Sequence, residues 1–93
     1  MCISKDLLAR FYGSLDFSLR VLIHYRVLVM YGKPFDQFLI DEPWSVYDVL
    51  ATSMGKHNAD MFLHVLKNWL ERHGCKLSLD DIKNFLSKKE LWT

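Results

Sequence analysis

Hydrophobic residues recur along the chain every three or four positions, and the runs are interrupted at glycine, proline or small polar residues. This spacing places apolar side chains on one side of an α-helix. No long stretch alternates apolar with polar residues, and no Asn-Gly or Asp-Gly pair indicates a hairpin. The pattern therefore predicts an all-α fold without a sheet: a compact bundle of four main helices plus one or two short helices.

Capping residues and helix stops set the predicted bounds of these helices. The predicted helical segments are 5–12, 15–31, 35–40, 43–54, 59–73 and 79–90. The residues expected to cap helix starts are Ser4, Ser14, Asn58 and Ser78, and those expected to end helices are Gly32, Gly55 and Gly74. The connections are short, which is typical of a bundle with near-antiparallel neighbours.

The segment from Leu15 to Tyr31 is apolar around nearly its whole circumference and leaves only a narrow polar stripe of Asp16, Arg20 and His24. An apolar surface of this kind predicts a central, buried helix. The apolar stretch is shorter than the roughly 20 residues that a membrane span needs, and two arginines interrupt it. We therefore expect no membrane partner.

Length and charge narrow the class of protein. The 93 residues suffice for one domain, 1–93, and a net charge of +1 gives no strong attraction to nucleic acid or anionic lipid. Two cysteines are too few for a disulfide framework, and the first residues show no secretion signal. These features indicate a soluble protein of the reducing cytoplasm.

Six Phe, four Tyr and three Trp add to an apolar content of 51%, which is slightly more than the predicted core can take up. Such a surplus commonly means a protein partner, often a second copy of the chain. Large aromatic side chains anchor protein interfaces. We therefore predict a binding face that includes Trp44, Tyr47 and Trp92.

Polar residues before and within the predicted helical segment 59–73 are the candidates for a metal site. His57, Asp60 and His64 follow one another at helical spacing, with Cys75 further on, but their spacing matches no zinc signature. An exposed polar helix face gives the same pattern. No phosphate loop, nucleophile elbow or His-Glu-x-x-His motif is present. The sequence therefore predicts a non-enzymatic protein without a cofactor or metal, although a metal at these three residues stays open.

Nucleic-acid binding is the alternative function. Residues 60–90 outline two helices joined by a turn that contains glycine, as in a helix-turn-helix. Lys83, Lys88 and Lys89 would contact the phosphate backbone, whereas Asp80 and Asp81 at the start of the second helix carry the wrong charge for it.

The order of residues in the central part of the chain resembles a family of small archaeal helical domains, the "Nitrosopumilus output domain". The residues that carry the likeness are Phe11-Tyr12, His24-Tyr25, Tyr31-Gly32, Pro43, Leu50, Met54-Gly55 and Ala59, within 11–72. The resemblance implies an all-α fold and an output or interaction role in signalling, and it carries over no catalytic residue. The segment after His73 departs from the pattern. We predict a non-catalytic module that works by protein–protein contact. We expect it to be a homodimeric output or adaptor domain in signalling.

Overall fold

A computed structural model describes residues 2–92 as a compact all-α fold, with no strand in that range. Met1 and Thr93, the ends of the predicted domain, lie outside the described residues. The α-helices are α1 (Lys5–Ser14), α2 (Phe17–Tyr31), α3 (Phe35–Asp41), α4 (Val46–Met54), α5 (Lys56–Arg72) and α6 (Leu79–Phe85), and Pro43–Ser45 and Lys89–Trp92 form 3-10 helices. The all-α class is confirmed. The described part has six α-helices, rather than four main helices with one or two short ones.

Several predicted caps are confirmed by their hydrogen bonds. The Ser4 hydroxyl accepts a hydrogen bond of 3.1 Å from the backbone N–H of Leu7, and Ser78 accepts one of 3.1 Å from Asp81. These bonds satisfy backbone donors that the first helical turn leaves without a partner. Gly32 ends α2 in the left-handed conformation, with φ of 68°, which glycine adopts without strain.

Two other predicted caps have different roles. Ser14 is the last residue of α1, where its hydroxyl donates to the Phe11 carbonyl at 2.6 Å. The carboxylate of Asp16 caps α2 instead, by accepting from the N–H of Ser18 at 3.0 Å. Asn58 lies inside α5, because this helix begins at Lys56.

The last predicted helix is shorter than expected. It ends at Phe85 instead of Glu90. In a continued helix, the Leu86 carbonyl would accept a hydrogen bond from the N–H of residue 90. Here the backbone N–H of Tyr47 donates to that carbonyl at 3.1 Å, so a tertiary contact from α4 replaces the helical bond.

Aromatic side chains from three helices meet at the centre of the core. The ring of Phe11 lies 5.4 Å from Phe62 and 5.5 Å from Trp69, and Phe35 lies 5.8 Å from Phe62, all in edge-to-face geometry. This arrangement brings the positive ring edges against the negative ring faces, which adds about 0.5–1.5 kcal/mol per pair to the burial of the rings. The contacts join α1, α3 and α5 into one unit.

A disulfide joins Cys2 to Cys75, which are 73 residues apart in sequence, with their Cα atoms 5.6 Å apart. The chain turns at Gly74, whose φ is 83°, and the N–H of Cys75 then donates to the Leu70 carbonyl at 2.8 Å. Cys75 is buried and is not a free thiol. Because disulfides persist in oxidising surroundings, the expectation of a reducing cytoplasm loses its support from the cysteines.

The position of α2 corrects another prediction. Instead of being central, α2 lies at the side of the bundle, packed on α3 and α4, and only Ile23 and Val27 of its fifteen residues are buried. No helix within residues 2–92 combines the length and apolar character needed to cross a membrane.

Candidate interaction surface

The outer side of α2 is the largest group of exposed apolar residues in the described part of the chain. Nine apolar residues of α2 have 38 to 73% of their surface exposed. Leaving aside Leu19 and Tyr31, the other seven are Phe17, Val21, Leu22, Tyr25, Leu28, Val29 and Met30. We call these seven residues the α2 face. Monomeric proteins rarely leave so much contiguous apolar surface in water, and a patch of this size commonly marks a binding site.

The first turns of α2 are fixed to the bundle by side-chain hydrogen bonds. The hydroxyl of Tyr12 donates to the Arg20 carbonyl at 3.2 Å, and the Arg20 guanidinium donates to the Leu15 carbonyl at 3.1 Å. Partial burial raises the pKa of Tyr12, and Asp36 raises it further, so this hydroxyl keeps its proton and remains a donor at neutral pH.

The other end of α2 is held by Lys33, just beyond the helix. Its ammonium group lies 3.2 Å from the Glu42 carboxylate, 3.6 Å from that of Asp41 and 4.5 Å from the centre of the Phe38 ring. The Tyr31 ring also packs against Phe38, with 5.4 Å between the ring centres. Because both ends of α2 are attached, its outer side is presented on a rigid element.

Two hollows border the α2 face. One is an apolar groove of about 210 Å³ between α2, α4 and α5. It is lined by Leu15, Leu19, Leu22, Ile23, Leu50, Met54, Asn58, Met61, Phe62 and Val65. The other, of about 690 Å³, is wider and shallower, and contains side chains of the α2 face together with Ser53 of α4. The Ser53 hydroxyl is buried and has no hydrogen-bond partner in the described structure.

The predicted aromatic face is largely covered. Trp44 and Trp92 are half-buried and Tyr47 is buried. The indole N–H of Trp92 donates to the Phe85 carbonyl, and the Tyr47 hydroxyl donates to the Asp60 carboxylate at 2.7 Å. The hydrogen bond to Asp60 is the main cause that raises the pKa of Tyr47, and burial adds to it. The polar groups of Trp92 and Tyr47 are therefore hydrogen-bonded within the fold, and all three rings are at least partly covered.

The lysines of the nucleic-acid alternative lie beside the same aromatic residues. The Lys83 ammonium is 4.7 Å from the centre of the Tyr47 ring, and that of Lys89 is 5.4 Å from the centre of the Trp44 ring. All three lysines are exposed. Cation–π attraction holds two of the three lysines over these rings. Asp80 and Asp81 are exposed in the first turn of α6, the part that would enter the major groove.

The candidate metal ligands His57, Asp60 and His64 do not form a group that could hold a metal ion. His57 and His64 are exposed, and Asp60 accepts the hydrogen bond from Tyr47. No group of three or more metal-ligating side chains occurs among residues 2–92. Cys75 is bonded to Cys2, and its neighbour His73 stacks on Trp69, with ring centres 3.9 Å apart.

The predicted apolar surplus is visible on α2, in addition to the aromatic residues Trp44, Tyr47 and Trp92, whose role in binding stays a prediction. The sequence signal for it is the predominance of apolar residues around α2, which also predicts burial. A comparison of the chain with models of protein families, with curated proteins and with solved structures finds no match.

Proposed function

We propose that this protein is a non-catalytic protein–protein interaction module whose binding surface is the α2 face. The observation that supports this proposal is the exposure of seven apolar side chains on one rigid helix. Apart from Arg20, His24 and Arg26, the outward side chains of this helix are Ser18 and apolar residues. A role as a signalling output, which the family resemblance implies, would use such a surface to contact the next protein.

The size of the α2 face is sufficient to drive association. With the exposed fractions given above, the seven side chains offer on the order of 800 Å² of accessible surface. Covering that area yields about 20 kcal/mol of hydrophobic free energy before any cost is subtracted. The loss of translational and rotational freedom costs about 4–15 kcal/mol, and the ordering of side chains at the interface is subtracted as well, so only the surplus appears as binding free energy.

Site-specific photo-crosslinking tests the proposal. A benzophenone amino acid is placed at Val29 in one variant and at Lys76, which is exposed beyond α5, in a control variant. Both are irradiated, pure and in an extract of the source cells, and adducts are identified by mass spectrometry. We expect an adduct with a defined protein, this chain or another, from position 29 only, and its loss when Tyr25→Glu is added.

Absence of any adduct from position 29 in both samples would contradict the proposal. So would adducts of the same composition from both positions, because they would report indiscriminate sticking. Circular dichroism of each variant establishes that the helices are intact.

A further inference from the structure

Six residues of α2 and its C-terminal cap are arranged symmetrically in sequence around Tyr25. Three residues before and after Tyr25 is leucine, four residues before and after is valine, and seven residues before and after is a small residue. In chain order these positions are Ser18, Val21, Leu22, Tyr25, Leu28, Val29 and Gly32. Offsets of three, four and seven residues lie on one side of an α-helix, and here this is the exposed side.

When two copies of the helix run antiparallel about Tyr25, this order places valine at the height of valine and leucine at the height of leucine. A two-fold axis at Tyr25 sets the Tyr25 rings of the two protomers opposite each other. It also places Val21 and Leu22 of one protomer at the same height as Leu28 and Val29 of its partner. This is the isologous contact of a symmetric dimer, in which each side supplies the same patch. The N-terminus of each helix then lies beside the C-terminus of the other, which their dipoles favour.

The dimensions and the polar groups agree with this arrangement. The α2 face offers on the order of 800 Å² per protomer, which is what a standard interface buries on each side. Ser18 and Gly32, at the two ends, are small enough for the chains to approach closely. His24 and Arg26 flank Tyr25 on opposite sides of the helix and would remain at the wet rim.

We infer that the partner of the α2 face is a second copy of this chain, packed antiparallel about a two-fold axis at Tyr25. The inference rests on the proposed function and makes it specific. The dimer covers Tyr25 and Val29 in each protomer and leaves the aromatic region around Trp44 outside the interface.

Charge exchange at the axis tests the pairing. Sedimentation velocity of the wild-type chain and of the variants Tyr25→Glu and Tyr25→Lys gives their masses in solution. We expect a dimer for the wild type and monomers for each variant alone, because like charges would meet at the axis. An equimolar mixture of the two variants should recover a dimer. His64→Glu, an exposed change on α5, is the matched control and should remain dimeric.

A second pair of changes tests the direction of the helices. Val21→Lys and Val29→Glu should each weaken the dimer, and the double variant should recover it, because the antiparallel arrangement brings position 21 of one protomer near position 29 of its partner. In a parallel pair the double variant would place like charges together and stay monomeric. That result would overturn the antiparallel arrangement.

The remaining outcomes separate this inference from the proposed function. A wild-type chain that stays monomeric up to about 300 µM would overturn the homodimer, because an interface of this size is expected to hold at micromolar concentration. If Val29 still gives an adduct with another protein, the proposed function survives that result. A wild-type dimer that is unaffected by either change at Tyr25 would overturn the assignment to α2. Loss of the dimer in both variants without recovery on mixing would overturn the axis.

Discussion

Opening the Cys2–Cys75 disulfide is expected to lower the free energy of unfolding by about 4 kcal/mol. The bond closes a loop between positions 73 residues apart, which spans α1 to α5. In the chain-entropy description, a crosslink removes freedom from the unfolded chain in proportion to the logarithm of loop length, and a loop of this length corresponds to about 4 kcal/mol. Domains are stable by about 5–15 kcal/mol in all, so the expected loss is a large fraction.

Cys2→Ser is the cleanest perturbation, because Cys2 is exposed and Cys75, which is buried, keeps its side chain. Urea unfolding followed by circular dichroism measures the wild type and the variant, each with and without dithiothreitol. Reductant should bring the wild type to the stability of Cys2→Ser and leave the variant unchanged. The oxidised wild type should also show a smaller dependence on urea, because its crosslinked unfolded state exposes less surface.

Two results would refute the reasoning. Titration of two free thiols in the air-oxidised, denatured protein would show that the bond does not form. Equal unfolding midpoints with and without reductant, in a protein whose disulfide is shown by mass spectrometry, would show that closing the loop does not stabilise this fold. A surface serine change such as Lys76→Ser controls for substitution outside the disulfide.

Four further substitutions probe local features of the fold by urea unfolding. Tyr47→Phe removes the hydrogen bond to Asp60 and should lower the free energy of unfolding by about 1 kcal/mol at pH 7. Because the pKa of Tyr47 is raised in the fold, this contribution is present below about pH 10 and is lost as the pH rises through the folded pKa. Equal pH dependence of stability in both proteins would contradict this. Gly13 lies inside α1 with open space around it, so Gly13→Ala should raise the free energy of unfolding by about 0.5–1 kcal/mol. Gly32→Ala should lower it by about 1 kcal/mol, because φ is 68° at Gly32. A change of the same sign in both variants would contradict this reasoning. Ser53→Ala removes a buried hydroxyl without a partner and should leave the stability of the monomer unchanged or raise it by up to about 1 kcal/mol, and a clear loss would reveal a hydrogen bond.

Local signals predicted most helix boundaries, because caps and stops act within a few residues of the chain. Ser4, Ser78 and Gly32 all have the predicted roles. The errors arise where a distant group intervenes. The end of α6 depends on a hydrogen bond from Tyr47, almost forty residues earlier in the chain. The disulfide depends on how the fold brings Cys2 and Cys75 together. Periodicity contains no information about such partners.

The exposure of the α2 face was harder to predict than the helix that carries it. An apolar outer side and an apolar inner side look alike in a sequence, so Leu15 to Tyr31 indicated burial when half of that helix faces water. The same ambiguity affects Trp44 and Trp92, which lie near the ends of their elements and yet pack partly into the fold. A role in binding for these aromatic residues stays a prediction.

The two sides of α2 have separate duties. Ile23 and Val27 pack the helix against its own domain, whereas Tyr25 and the other residues of the α2 face are exposed. Substitutions on the outer side can therefore change which molecule is recognised while the architecture is inherited unchanged. A lineage of such proteins could acquire new specificities one exposed position at a time, with no intermediate that fails to fold.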